Sequence, residues 1–172
     1  MYVERTFAER TGQVPHRSLF RERLQRTAGE RPLIDWLVEE ANVRGHFGVV
    51  SASLGEREPS PWLADEALVA ALLMPHGPLD VRLFTLVVRM IQKGHMDPRR
   101  LWLEARKERA DATLYWLLER VPEEERNEAV VRTVAMQSEP PRGYRPLPID
   151  YDPRRLIRRA ATRESTWRAA RR

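Results

Sequence analysis

Residues 61–74 read PWLADEALVAALLM and residues 80–93 read DVRLFTLVVRMIQK. In both stretches apolar side chains occupy nearly the whole circumference of a helix, which is typical of helices that are buried on several sides. The tight turn Pro75-His-Gly-Pro78 joins them, so we expect an antiparallel pair at the centre of the protein. The sequence therefore predicts an all-α fold, an irregular bundle of roughly six to eight short helices built around this pair.

Helix-starting and helix-ending residues divide the rest of the chain. Ser60-Pro61 is expected to supply the N-cap and first residue of the 61–74 helix, after a Gly- and Ser-rich loop over 46–60. Two further helices are predicted before this loop, Leu19 to Ala28 with an N-cap at Ser18, and Pro32 to Arg44. Three more are predicted after the central pair, namely Asp97-Pro98 to Ala110, Asp111 to Val121 and Pro122 to Gln137. Gly29, Gly45 and Gly94 are expected to end the helices that precede them.

Composition excludes several classes of protein. The 172 residues include no cysteine, which removes disulfides, thiolate zinc sites and iron–sulfur clusters. The longest apolar run, Ala67 to Met74, is far shorter than the roughly 20 residues of a membrane span. The first residues lack the apolar segment of a secretory signal. We therefore expect a cytoplasmic protein without a membrane span.

Positive charge is concentrated at the C-terminus. Residues 142–172 contain ten arginines against three acidic residues, whereas residues 1–141 carry 20 basic and 22 acidic residues. Residues 139–151 hold four prolines and are expected to form an extended strap. Asp152-Pro153 then predicts a last, basic helix that ends near Ala170. We accordingly divide the chain into a helical domain, 1–138, and a proline-rich strap with a basic C-terminal helix, 139–172, called the arm below.

The arm suggests binding, and its target is left open by the sequence. It can dock on its own acidic helical domain, clasp a protein partner, or lie along a nucleic-acid backbone, where phosphate contacts would make binding salt-dependent. Contact with an anionic membrane ranks last, because the apolar side of the predicted helix is weak. The residues assigned to partner or nucleic-acid binding are Arg142, Tyr144, Arg145, Arg154, Arg155, Arg158, Arg159, Arg163 and Trp167.

Two tryptophans form a second set of candidate contact residues. Trp36 and Trp116 lie off the main apolar stripes of their predicted helices. Either they pack between two layers of helices, or they are exposed anchors of the kind that is enriched at protein interfaces. They are retained as possible interface residues.

The sequence carries no catalytic, cofactor or metal-binding signature, such as a Gly-rich phosphate loop or an H-E-x-x-H zinc motif. The four histidines, His16, His46, His76 and His95, are scattered, and we expect them in helix-capping or exposed positions rather than as metal ligands. His95 with Asp97, and Ser51 or Ser53, would form a catalytic group only if the fold joined them. Glu39-Glu40 are expected on a solvated helix face, and Glu123–Glu125 in the first turn of a helix.

These observations predict a non-catalytic protein–protein interaction subunit, or adaptor, of a larger cytosolic assembly, which uses the Arg-rich arm to clasp its partner. The alternative is an accessory subunit that binds nucleic acid through the same arginines. No cofactor is predicted for either function, and fold class alone does not decide between them.

Overall fold

A computed structural model describes residues 11–12, 16–46, 57–75, 81–140 and 142–146. This part of the chain is all-α and contains no strand, as predicted. Seven α-helices and one 3₁₀ turn follow each other: α1 Leu19–Ala28, α2 Leu33–Val43, α3 Asp65–Leu72, α4 Val81–Lys93, α5 Pro98–Lys107, α6 Asp111–Leu118, the 3₁₀ turn Glu123–Glu125, and α7 Glu128–Gln137.

The first two helices begin and end close to where local sequence signals place them. Ser18 caps α1, because its hydroxyl accepts a hydrogen bond from the backbone N–H of Arg21 at 3.0 Å. Gly45 follows α2 with a φ of 83°, the left-handed conformation that favours glycine. The backbone N–H of His46 then donates to the carbonyl of Ala41 at 2.9 Å. This pattern ends the helix and turns the His46 side chain back against the protein.

The third helix begins later than predicted. Ser60 does not cap it, because the Ser60 N–H and hydroxyl both donate to the carboxylate of Glu40. The Ser60 carbonyl instead accepts from the Leu63 N–H at 3.2 Å and closes a turn. The helix therefore starts at Asp65, and a partner distant in sequence has replaced the local capping role.

Of the two helices chosen from sequence, α3 makes its most extensive contact with α5 rather than with α4. Helix α3 packs most extensively against α5 and also contacts α2 and α4, and α5 in turn contacts α6 and α7. The buried carboxylate of Glu66 in α3 accepts from the N–H of Asp97 at 3.0 Å. Asp97 caps α5 through the N–H of Arg100 at 2.8 Å. The turn predicted at 75–78 lies outside the described residues except for Pro75.

The segment predicted as one helix from Pro122 to Gln137 is divided into two elements. The three glutamates form only the 3₁₀ turn, and Asn127 starts α7. The Asn127 side chain accepts from the Val130 N–H at 3.3 Å and donates to the Ile91 carbonyl, also at 3.3 Å. Because both bonds are made by one side chain, Asn127 fixes the start of α7 and ties it to α4.

One continuous apolar core joins the described helices. Residues from all seven α-helices contribute to it, and its largest fully buried side chains include Trp36 and Phe84. Turns that contain Gly or Pro keep the helices short. Each helix therefore buries one or two of its faces against several neighbouring helices.

Candidate functional site

The beginning of the arm lies against the helical domain. The Tyr144 hydroxyl and the Thr113 hydroxyl of α6 share a hydrogen bond of 2.6 Å, and Tyr144 also bonds to Thr11. Burial of the phenol raises the pKa of Tyr144, and these hydrogen bonds partly offset the rise. Ser138, also buried, accepts from the Trp102 indole N–H at 3.1 Å. Residues 142–146, at the beginning of the arm, are therefore held in place beside α6.

The other predicted arm residues fall into two groups. Arg142 and Arg145 are exposed on either side of Tyr144. Arg154, Arg155, Arg158, Arg159, Arg163 and Trp167 lie outside the described residues, as does the helix predicted from Asp152-Pro153 onward. Of the three arm residues that the structure describes, Tyr144 packs on the core, and Arg142 and Arg145 are exposed.

The two candidate interface tryptophans are buried. Trp36 is 1% exposed and Trp116 is 6% exposed. Their burial favours the first of the two alternatives, packing between layers, over exposed anchors. Neither indole presents a free face to a partner in the described structure.

Every tryptophan that the structure describes lies under an arginine. The pairs are Arg57 over Trp36 at 5.2 Å, Arg23 over Trp62 at 4.0 Å, Arg106 over Trp102 at 5.3 Å and Arg120 over Trp116 at 4.1 Å, measured from the guanidinium carbon to the ring centroid. A guanidinium over an indole is the most favourable cation–π arrangement in proteins. These four arginines therefore pack on aromatic rings of the protein itself.

A buried ionic network, centred on Glu40, is the feature that sequence reasoning missed. The Glu40 carboxylate is fully buried and accepts from Arg44 at 3.0 Å, from the Ser60 hydroxyl at 2.7 Å and from Arg57. Arg44 also donates to Asp65 at 2.6 Å. The network joins α2 to α3 and to residues 57–60, which precede α3. At this junction the helices are held by charged side chains rather than by apolar contacts.

Glu39 and Glu40 are thus not on a solvated face, as the sequence suggested. Glu39, also buried, accepts from Arg31 at 2.6 Å and from Arg57 at 3.2 Å. One local signal was available, since Glu40 lies one turn after Trp36 and one turn before Arg44 on the same side of α2. The second arginine, Arg57, is 17 residues from Glu40 in the sequence, and no pattern of spacing connects the two.

A second, smaller group of polar residues joins His16 and Ser18 to Glu108, the residue that follows α5. The Ser18 hydroxyl donates to Glu108 at 2.6 Å, and His16 Nε2 lies 3.8 Å from the same carboxylate. Because the Ser18 oxygen also accepts from the Arg21 N–H, it serves as a helix cap. The Ser18 hydroxyl is therefore used twice, as the acceptor that caps α1 and as the donor to Glu108.

The remaining candidate chemical groups stay apart. His95 is exposed, and Asp97 is engaged as the cap of α5. Ser51, Ser53 and His76 lie outside the described residues. Across 11–12, 16–46, 57–75, 81–140 and 142–146, no three His, Asp or Glu side chains are grouped so that they could hold a metal ion. In those same ranges, no helix has the length and apolar character needed to cross a membrane.

His46 is buried rather than exposed, which corrects the expectation for this residue. Its Nε2 lies 4.0 Å from Asp65 Oδ2, and its Nδ1 has no hydrogen-bond partner among the described residues. Burial lowers the pKa of His46, the charges of Lys93 and Arg44 lower it further, and Asp65 opposes them. The imidazole is therefore held in its neutral form beside the ionic network.

Replacing His46 with glutamine is expected to remove part of the stability loss of the protein in mild acid. The unfolded chain binds a proton near pH 6.5, and the folded chain binds it only at lower pH. As the pH falls below that value, the proton therefore favours the unfolded state. Urea unfolding at neutral and mildly acidic pH measures the effect. His95→Gln, at an exposed histidine, should retain the full acid sensitivity. Equal acid sensitivity in His46→Gln and wild type would contradict the prediction.

Comparison of the chain with protein-family models, with curated proteins and with solved structures finds no match in any of the three.

Proposed function

We propose that the protein is a non-catalytic interaction subunit, or adaptor, that binds an acidic protein partner through residues 147–172. The observation that carries this proposal is the fixed position of residues 142–146 against the helical domain, immediately before residues 147–172. Tyr144 and Pro146 are held against the domain, and the chain beyond them carries eight of the ten C-terminal arginines. Because residues 142–146 are held against the helical domain, they limit the directions in which the basic segment after them can extend.

The chemistry of the arm supports a target rich in carboxylates. Arginine pairs with carboxylates through two parallel hydrogen bonds, and it stays charged at any physiological pH. Because the same geometry fits phosphates, the nucleic-acid alternative relies on the same arginines. The function of an adaptor requires a folded domain that persists without its partner, and the buried core of α1 to α7 supports that requirement.

A chain that ends at Pro146 provides the test. We expect it to keep the helical circular dichroism and melting temperature of the full chain, because Tyr144 and Ser138 remain. The full chain and the shortened chain, both tagged, are incubated with a nuclease-treated lysate of the source cells. Proteins held by the full chain should be depleted about tenfold with the shortened chain, and the strongest of them is then purified for titration calorimetry.

A matched pair of variants isolates the charge of the arm. Arg158→Gln/Arg159→Gln should weaken the purified complex, whereas Arg26→Gln/Arg132→Gln, at exposed positions of α1 and α7, should not. If both chain lengths retain the same proteins with equal yield, residues 147–172 are not the binding element. If the full chain holds those proteins only in a parallel lysate that has not been treated with nuclease, the nucleic-acid alternative replaces the adaptor.

A further inference from the structure

Helix α5 presents an apolar side chain surrounded by positive charge. Leu103 is 41% exposed. The residues three and four positions before and after it are its neighbours on the helix surface. All four are basic, namely Arg99, Arg100, Arg106 and Lys107, and all four are exposed. These five residues are called the α5 face below.

The charge of the α5 face is only partly neutralised by the protein itself. Lys107 donates to Glu104 at 2.9 Å, and Glu104 is the one acidic residue within α5. Arg100 lies 3.9 Å from the buried carboxylate of Glu66, and Arg106 lies over the ring of Trp102. Four exposed cations therefore surround one leucine, and two carboxylates, those of Glu104 and the buried Glu66, lie near them.

The placement of two of these cations does not serve the stability of the helix. Arg99 and Arg100 lie in the first turn of α5, which contains no acidic residue. The helix dipole is positive at this end and disfavours positive side chains there. Arg100 is partly compensated by the carboxylate of Glu66, so the unfavourable placement is clearest at Arg99, and such a departure from a local rule points to a role outside the fold.

We infer that the α5 face binds an acidic amphipathic segment of a protein partner. An apolar side chain of that segment packs on Leu103, and carboxylates one turn away on either side pair with the four cations. A nucleic-acid backbone would gain nothing from a central leucine, and a membrane would need a wider apolar surface than one side chain. This surface is built from residues other than 147–172, so the inference does not rest on the proposed function of the arm.

The test uses the full chain and a fluorescein-labelled synthetic peptide in which leucines recur at helical spacing among glutamates. A peptide of the same composition in scrambled order measures nonspecific attraction to the basic arm. Fluorescence anisotropy should show that the ordered peptide binds more tightly. Leu103→Ala should weaken its binding about fivefold, whereas Met136→Ala, which truncates an apolar side chain that is 76% exposed on α7, should leave it unchanged.

Charge reversal at Arg99 separates binding from folding. Arg99→Glu places a carboxylate at the positive end of the helix dipole, so we expect the melting temperature to stay level or rise. The affinity for the ordered peptide should nevertheless fall about tenfold. Arg132→Glu, at an exposed position within α7, is the matched control and should change the affinity little.

Three outcomes would overturn the inference. Equal binding by wild type, Leu103→Ala and Arg99→Glu would assign the affinity to the arm alone. Displacement of the peptide by a DNA duplex or by anionic vesicles, with the same dependence on Leu103 and Arg99, would assign the face to those ligands. Concentration-dependent dimerisation of the protein that both substitutions abolish would make a second copy of this chain the occupant.

Discussion

Replacing Glu40 with alanine is expected to lower the free energy of unfolding by about 3–5 kcal/mol. The carboxylate is fully buried and accepts hydrogen bonds from Arg44, Arg57 and Ser60. Its removal leaves two guanidinium groups in the protein interior with part of their charge uncompensated. That penalty is larger than the loss of any one hydrogen bond, because a desolvated charge needs its partner more than a neutral group does.

Urea unfolding monitored by circular dichroism measures this effect. Glu40→Gln keeps the volume and an acceptor for Ser60, so it should lose less stability than Glu40→Ala. Glu22→Ala is the matched control, because Glu22 pairs with Arg17 at 3.0 Å on the surface, where ion pairs contribute about 0–1 kcal/mol. A Glu40→Ala variant as stable as Glu22→Ala would show that the network does not stabilise the junction of α2 and α3.

Replacing Trp116 with alanine is expected to cost about 3–5 kcal/mol, the usual result of removing a large buried ring. One contact of the indole is with Phe84 of α4, edge to face at a centroid distance of 5.9 Å. Another is with the guanidinium of Arg120. The indole N–H has no hydrogen-bond acceptor among the described residues, so the loss arises from packing rather than from a missing hydrogen bond.

Trp62→Ala is the comparison variant, because Trp62 is half-buried and should cost about 1–2 kcal/mol. A double-mutant cycle between Trp116 and Arg120 should return a coupling of about 0.5–1 kcal/mol. If Trp116→Ala unfolded like wild type but lost a binding partner, the alternative of an interface anchor would be correct and the packing explanation would be wrong.

Elements that depend on neighbouring residues could be predicted from the sequence. Ser18, Gly45 and Asp97 act within one helical turn, so the bounds of α1 and α2 and the start of α5 lie close to the prediction. Signals that depend on distant partners could not be predicted. Ser60 looks like an N-cap, but its donors are taken by a carboxylate 20 residues earlier.

The same reason explains the second boundary error. Pro122 followed by three glutamates is a strong local start signal, yet Asn127 starts α7, because its side chain also reaches the carbonyl of Ile91 in another helix. For the candidate site, the sequence located the exposed Arg142 and Arg145 but not the anchoring role of Tyr144. Nor did it single out the α5 face, because Leu101, Trp102 and Leu103 are consecutive apolar residues, and the pattern did not show that Leu103 is the one that stays exposed.

The stacking of arginines on indoles gives the protein built-in optical reporters. Trp36 and Trp116 emit from the interior, whereas Trp62 and Trp102 are half-buried, so the four described rings sample different environments. Trp102 is next in sequence to Leu103 and lies under Arg106. A carboxylate that draws Arg106 away from the ring would alter the fluorescence of Trp102, and engagement of this helix by a ligand could then be followed without an attached dye.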